Sequence, residues 1–372
     1  MKSRLMLYAL AALASLTLVG CGANIPSSRI QPAHGVVRVT RAMWMVPISG
    51  MSMISTNTGW GTGHGRVWRT VDGGRTWVPV FSTATNGIST TSDFVSSDVA
   101  VVAQGFVGHI RISLTDDGGE RWNYWTLELP SSVAVYPMSL SFVSDKTGWI
   151  LVAPEQGMNS SEGWLFRTVD GGKRWTLVSS TSAGTLPSAR GMIRFRGSGE
   201  GWLAASVGAT GKTNLYRSVN DGAKWIAVTL KDPKSYVVVP SLPMTWGRQG
   251  VLTAALSSPA GVISHGRAAV FHTKDGGRVW LPVGEDISRD IEPSGSTLNP
   301  QFLTPESGYA VIGHELCWTL NGGRTWQRLV TIRGGFSPAS LNVVSARKMY
   351  LLLEGPSGQG WMESLRPRNS GS

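Results

Sequence analysis

Thr70-Val71-Asp72-Gly73-Gly74-Arg75-Thr76-Trp77 is the stretch on which the reading of this chain turns, because it returns five more times. The further copies are Thr115–Trp122, Thr168–Trp175, Ser218–Trp225, Thr273–Trp280 and Thr319–Trp326. Their acidic or amide positions are Asp72, Asp117, Asp170, Asn220, Asp275 and Asn321, spaced by 45, 53, 50, 55 and 46 residues. Regular spacing of this length marks stacked supersecondary units. Within a copy, Asp-Gly or Asn-Gly between apolar runs is a tight-turn signal, since Gly accepts positive φ and the Asx side chain can accept N–H bonds from its own turn. The closing Trp gives the next strand a large apolar anchor. These six Asx residues are therefore expected to be structural.

The copies have the form Ser/Thr-x-Asp-x-Gly-x-x-Trp and resemble the Asp-box, or BNR, motif. Over roughly residues 37 to 363 the chain most resembles the YCF48-like and sortilin-like Asp-box propellers. That resemblance implies a β-propeller. It does not choose an activity, because Asp-boxes occur in enzymes and in binding proteins.

A second signature lies between the Asp-boxes. Ser55–Trp60, Ser144–Trp149, Gly197–Trp202 and Pro305–Tyr309 each end a polar turn in Gly-Trp or Gly-Tyr. Weaker copies are Ser96–Ala100 and Gly247–Val251, and Ser345–Tyr350 lies beyond the last Asp-box. One unit thus reads strand A, turn, strand B, loop, strand C, Asp-box turn, strand D. Six Asp-boxes suggest six blades, but seven A–B signatures favour seven. Gly360-Trp361-Met362-Glu363 resembles Gly163-Trp164-Leu165-Phe166 and supplies a seventh strand C. Only the outer strand of that unit is missing, and Val37–Val46 can provide it, leaving no open edge at the join. The expected fold is all-β: a seven-bladed propeller of four-stranded antiparallel blades closed by the N-terminal strand, with six or eight blades as alternatives.

The N-terminus reads as a targeting segment. Lys2 and Arg4 precede an apolar run from Leu5 to Val19, short for a membrane-spanning helix, and Leu18-Val19-Gly20-Cys21 resembles a bacterial lipobox. Residues 1–20 are expected to be a lipoprotein signal, Cys21 the lipidated residue, 21–36 a flexible tether, 37–366 the propeller and 367–372 a loose tail. The protein is then expected on the extracytoplasmic face of the cell membrane, held by lipid. Cys317, the only other cysteine, occupies a position filled elsewhere by Trp68, Phe166, Tyr216 and Phe271, and is expected to be a buried apolar residue.

Chemistry was sought on both faces. His64, His109, His265 and His314 occupy equivalent B–C positions and are candidates for ligand binding on the loop face. Long loops there include Ala153–Gly163, Ala205–Asn214, Ser257–Gly266 and Glu285–Pro300, the last carrying Glu285, Asp286, Asp290 and Glu292. With 34 Lys and Arg against 23 Asp and Glu, the formal charge is +11. Part of that surplus falls at the Asp-box turns: Arg75, Arg121, Lys173, Arg174, Lys224, Arg278 and Arg324 form a candidate basic face. The region Val37–Arg69 lacks the Phe/Tyr-Arg-Ile-Pro tetrapeptide of sialidases, and Ile193-Arg194-Phe195-Arg196 does not reproduce it. There is no phosphate-cradling loop, nucleophile elbow or His-Glu-x-x-His. The expectation is a monomeric, cofactor-free binding or assembly scaffold for a protein or anionic envelope polymer, not for nucleic acid. A carbohydrate-active enzyme is the alternative.

Overall fold

The computed structural model describes residues 38–368 except 131, 156–161, 198, 207–212, 231–236, 258–267 and 284–297. The signal segment, Cys21, most of the tether, His265 and the Glu285–Glu292 cluster lie outside the described residues. The chain forms a seven-bladed propeller, all β, from seven antiparallel sheets of which six have four strands.

Blade 1 shows the plan, from the axis outward: strand A is Gly50–Met53, B is Gly59–Gly63, C is Arg66–Thr70 and D is Val78–Ser82. Blade 5 departs from it. Its inner position is shared by Val237–Pro240 and Met244–Trp246, both paired with Gln249–Ser257. The outer strand of blade 4 is also split. Ile226–Ala227 pairs within its own blade, then Thr229–Leu230 crosses to run parallel to Val279–Val283 of blade 5.

The ring closes as the spare N-terminal strand suggests. Arg38–Val46 pairs antiparallel with Gly360–Arg368 along its whole length, as the outer strand of blade 7. The last strand runs to Arg368, past the expected boundary at 366. An ion pair between Arg41 and the buried Glu363 joins these two strands.

The Gly-Trp signature has a steric explanation. The glycine faces the last residue of strand A across the ladder, as in the pairs Met53–Gly59, Phe142–Gly148, Phe195–Gly201 and Phe302–Gly308. A Cβ at Gly201 would stand 2.3 Å from Phe195, and one at Gly148 2.5 Å from Phe142. The ring of strand A therefore lies on bare backbone, and the following Trp packs beside it. Trp149 stacks on Phe195 of the next blade at 4.1 Å, and Trp60 on Phe94 at 5.6 Å. Trp60, Trp149 and Trp202 are buried, so each tryptophan fills the space between two blades.

Successive blades are also joined at the axis. A polar side chain on one inner strand bonds the backbone of the next. Asn342 accepts from Met53 N (3.1 Å), Asp93 from Phe142 N (2.6 Å), and Ser139 and Ser141 from Ile193 N and Phe195 N (3.1 and 2.8 Å). Arg194 donates to Pro243 O (3.1 Å), and Gln301 bridges to Leu341 O and Val343 N. Every one of these bonds runs the same way around the ring, with Asn342 of blade 7 reaching blade 1.

Replacing Gly201 by Ala should overpack the Phe195 contact and lower stability by about 1–3 kcal/mol. A denaturant melt should show a lower midpoint with an unchanged slope.

Candidate functional site

The six Asp-box turns share one bonding scheme. The Ser or Thr that ends strand C is buried, and its hydroxyl donates to the Asx side chain: Thr70 to Asp72 at 2.9 Å, Thr115 to Asp117 at 2.9 Å, Ser218 to Asn220 at 3.0 Å. The same hydroxyl accepts the N–H of the second glycine, as from Gly74 and Gly119 at 2.9 Å. The Asx oxygen then accepts a backbone N–H four residues on, from Thr76, Arg121, Arg174, Lys224, Val279 or Thr325. Finally, the residue after the Asx donates its N–H to the A–B turn of its own blade, for example Gly73 to Asn57 O at 2.7 Å and Gly276 to Arg248 O at 2.8 Å. That residue has positive φ in all six copies. It is Gly in five, and in the fourth it is Asp221 at 60°, a type that tolerates the left-handed region.

These bonds favour the ionised carboxylate. The Arg121 N–H, helped by the Thr115 hydroxyl and the Arg121 guanidinium, holds Asp117 down to about 2. Partial withdrawal from water pushes Asp72 and Asp170 upward, but their hydrogen bonds outweigh it and both stay below the ordinary carboxylate value. Asp275 is lowered chiefly by Thr273. The geometry occupies these oxygens inside their own turns.

The seven basic candidates Arg75, Arg121, Lys173, Arg174, Lys224, Arg278 and Arg324 are all exposed. They stand at the six turns of one face, two of them in blade 3. Arg121 pairs with its own Asp117 (3.1 Å). By contrast, Arg69, Arg167 and Arg217, one turn-width below, are held by neighbouring groups, Arg217 by Glu200 of its own blade at 2.9 Å. Each lies over the tryptophan of strand B, at 5.3, 5.2 and 5.8 Å from the ring centre. Arg69 also donates to Gly118 O in the next Asp-box turn (2.8 Å), and Arg167 meets Asp221 of the next at 3.5 Å. His272 does the same work in blade 5, bonding Gly322 O at 2.7 Å.

The histidine candidates are placed separately. His64 and His314 are exposed in tight B–C turns, His64 with φ 53°. His109 opens its strand, bonds Val107 O at 3.1 Å and stacks on Phe106. Among the described residues, no group of three or more His, Cys, Asp or Glu is arranged to hold a metal. Cys317 is buried opposite Ala310, and burial pushes its thiol up to about 12, which removes it as a nucleophile near neutral pH.

Two features escaped the sequence. Asp93 of blade 2 and Arg194 of blade 4 sense each other's charge at the inner ring: withdrawal from water pushes Asp93 up to about 6 and brings Arg194 down to about 10, each charge opposing the other's shift. Blade 7 carries Ser364 where blades 1, 3 and 4 place Arg69, Arg167 and Arg217, and a cavity of about 290 Å³ opens there against blade 1. Aligning the seventh unit on Tyr350 and Ser364 would have exposed the missing plug.

A family model described as Photosynthesis system II assembly factor YCF48 matches residues 88–239. The photosystem II assembly lipoprotein Ycf48 of Synechococcus sp. (strain CC9902) is 35% identical over 127 residues, 34% of this chain and 33% of the relative. The match thus spans about a third of that relative's length. A solved YCF48 bound to D1 peptide is 17% identical with a TM-score of 0.61, over 94% of this chain and 99% of that one. YCF48 from Cyanidioschyzon merolae is 15% identical with a TM-score of 0.60, over 88% of this chain and 98% of that one. At these identities the two structures establish the fold.

Because Asn220 and Asn321 already serve in two turns, changing Asp72, Asp117, Asp170 and Asp275 to Asn should leave the fold intact at pH 7. Their lowered folded-state values mean that the carboxylates contribute stability above about pH 4 that is lost as pH falls, for Asp117 toward 2. The substituted protein should therefore lose less stability across that window in acid denaturation. Asp93 has the opposite sign. Its raised value makes the folded state hold a proton between about pH 4 and 6 that the unfolded chain releases. Its contribution falls as pH rises, and Asp93→Asn, which keeps an acceptor for Phe142 N–H, should flatten that fall.

Proposed function

We propose that this YCF48-like Asp-box (BNR) propeller is a non-catalytic scaffold that binds protein during assembly of a membrane complex. The observation that carries the reading is the 35% match to a protein named as a photosystem II assembly lipoprotein. The lipobox ending at Cys21 supports the same placement: a lipid anchor holds the propeller on the extracytoplasmic face, and residues 22–36 give it reach. A folded neighbour that was solved with a bound peptide fits a binding role for the fold.

The surface best suited to a partner is the Asp-box face. Its Asx carboxylates are bonded within their own turns and seven cations project from it, with Asp116 and Glu120 of blade 2 as exposed acids among them. Such a field attracts acidic protein surface and steers its approach, with a salt dependence set by a screening length of about 10 Å at 0.1 M. The His-bearing loops remain the second surface.

Crosslinking in intact cells followed by purification of the full chain should recover one defined membrane-protein partner. Reversing charge at Arg75, Arg278 and Arg324 should reduce that recovery, and Cys21→Ser should release the protein from the membrane fraction. Turnover of sialosides or polysaccharides, abolished by changing a single carboxylate, would overturn the reading in favour of an enzyme.

A further inference from the structure

The junction between blade 7 and blade 1 differs from its counterparts on the Asp-box face. In four of the other six blades the equivalent strand C position holds Arg69, Arg167, Arg217 or His272, and in blades 2 and 6 it holds the bulky Leu114 and Trp318. At the seam that position is Ser364, paired with Tyr350 as Arg69 is paired with Trp60. Blade 7 also has no Asp-box, because its outer strand comes from the N-terminus and both strands run straight on. Arg366 and Lys348 thus reach the level occupied in other blades by turn residues.

The resulting cavity, about 290 Å³, is lined by three cations: Lys348 and Arg366 of blade 7 and Arg75 of blade 1. Lys348 is 7% exposed, is bonded to Ser364 Oγ, and has its ammonium 4.4 Å from the Tyr350 ring centre. The Tyr350 hydroxyl is already spent on Thr56 O (2.6 Å). Among the described residues, no carboxylate forms an ion pair with any of the three cations. The single acid in the lining, Asp72, is held by Thr70 and Thr76 in its own turn. Burial, followed by the charges of Arg366 and Arg75, brings Lys348 down to about 8.

A buried ammonium facing two guanidinium groups is unfavourable without a counter-charge. We propose that this seam cavity binds the oxyanion of a phosphate ester. Arginine offers paired donors suited to phosphate oxygens and lysine a point charge. A dianion offsets the surplus left after Asp72, which a single carboxylate would do only in part. The volume exceeds that of a bare phosphate and leaves room for its substituent against Trp44 and Ala42, at the lower end of the usual range for ligand pockets, about 300 Å³. The site shares Arg75 with the basic face, whereas Lys348 and Arg366 belong to the cavity and are not among the basic-face candidates.

Calorimetric titration of the full chain with inorganic phosphate, at ionic strength fixed with chloride, tests the assignment. Saturable binding is expected, weakened about tenfold or more by Lys348→Met and by Arg366→Gln, a loss of about 1.4 kcal/mol, and unchanged by Arg324→Gln on blade 6. Arg366 is exposed, so its variant folds even if the Lys348 variant does not. Phosphatidylcholine vesicles with and without phosphatidic acid separate the sources. Extra binding that depends on Lys348 identifies a lipid headgroup, whereas phosphate binding without it identifies a soluble ester. No saturable binding, or equal binding by all four proteins, would reduce the cavity to an unfilled gap between blades.

Discussion

Apart from the short crossing of Thr229–Leu230 onto blade 5 and the Val107–Ala134 bridge, the blades share no strand ladder, so the ring depends on side chains that leave one sheet and bond the backbone of the next. Here that linkage occurs at two radii. At the axis, Asn342, Asp93, Ser141, Arg194 and Gln301 each reach forward to the following inner strand. Farther out, Trp60 donates to Ser96 O, Tyr309 to Ala346 O and Tyr350 to Thr56 O, each in the A–B turn of the next blade. Buried backbone groups at the junctions thereby find partners, which they need once water is excluded.

This arrangement separates structural charge from available charge. The Asp-box acids are conspicuous in the sequence, yet each is folded into its own turn. The cations beside them have no such duty in most copies and project into solvent. The face therefore carries both signs: carboxylates that stay ionised within their turns, and basic side chains that point outward. The arginines one position earlier in strand C, although they read as part of the same basic surplus, belong to the junctions. They lie on tryptophan rings, and Arg69 and Arg167 also bond the next turn, which strengthens the wheel.

The seam shows what closure by a remote strand does to a repeat. Because Arg38–Val46 arrives from the other end of the chain, blade 7 needs no turn between its third and fourth strands. Without that turn it loses the buried Thr and Asx pair, and with Ser364 it also loses the junction arginine. Trp44, on the incoming strand, compensates in part by donating to Gly74 O of blade 1. A cavity with an enclosed lysine remains at the one place where the repeat is interrupted.

The sequence by itself determined the repeat, the number of blades and the closing strand, because turn chemistry and the Gly-Trp contact are local and recur at fixed spacing. It also determined that the Asx residues can be satisfied within their own turns, since donor and acceptor lie within four residues. Only the tertiary structure decided which basic residues stay free. Arg69 and Arg75 are six positions apart and alike in composition, but one is enclosed between sheets and the other faces water. It likewise decided that Asp93 and Arg194 come within range of each other's charge, and that Lys348, Arg366 and Arg75 line one cavity. Those groups come from strands and turns far apart in the chain, and only the closure of the ring brings their charges within range of one another.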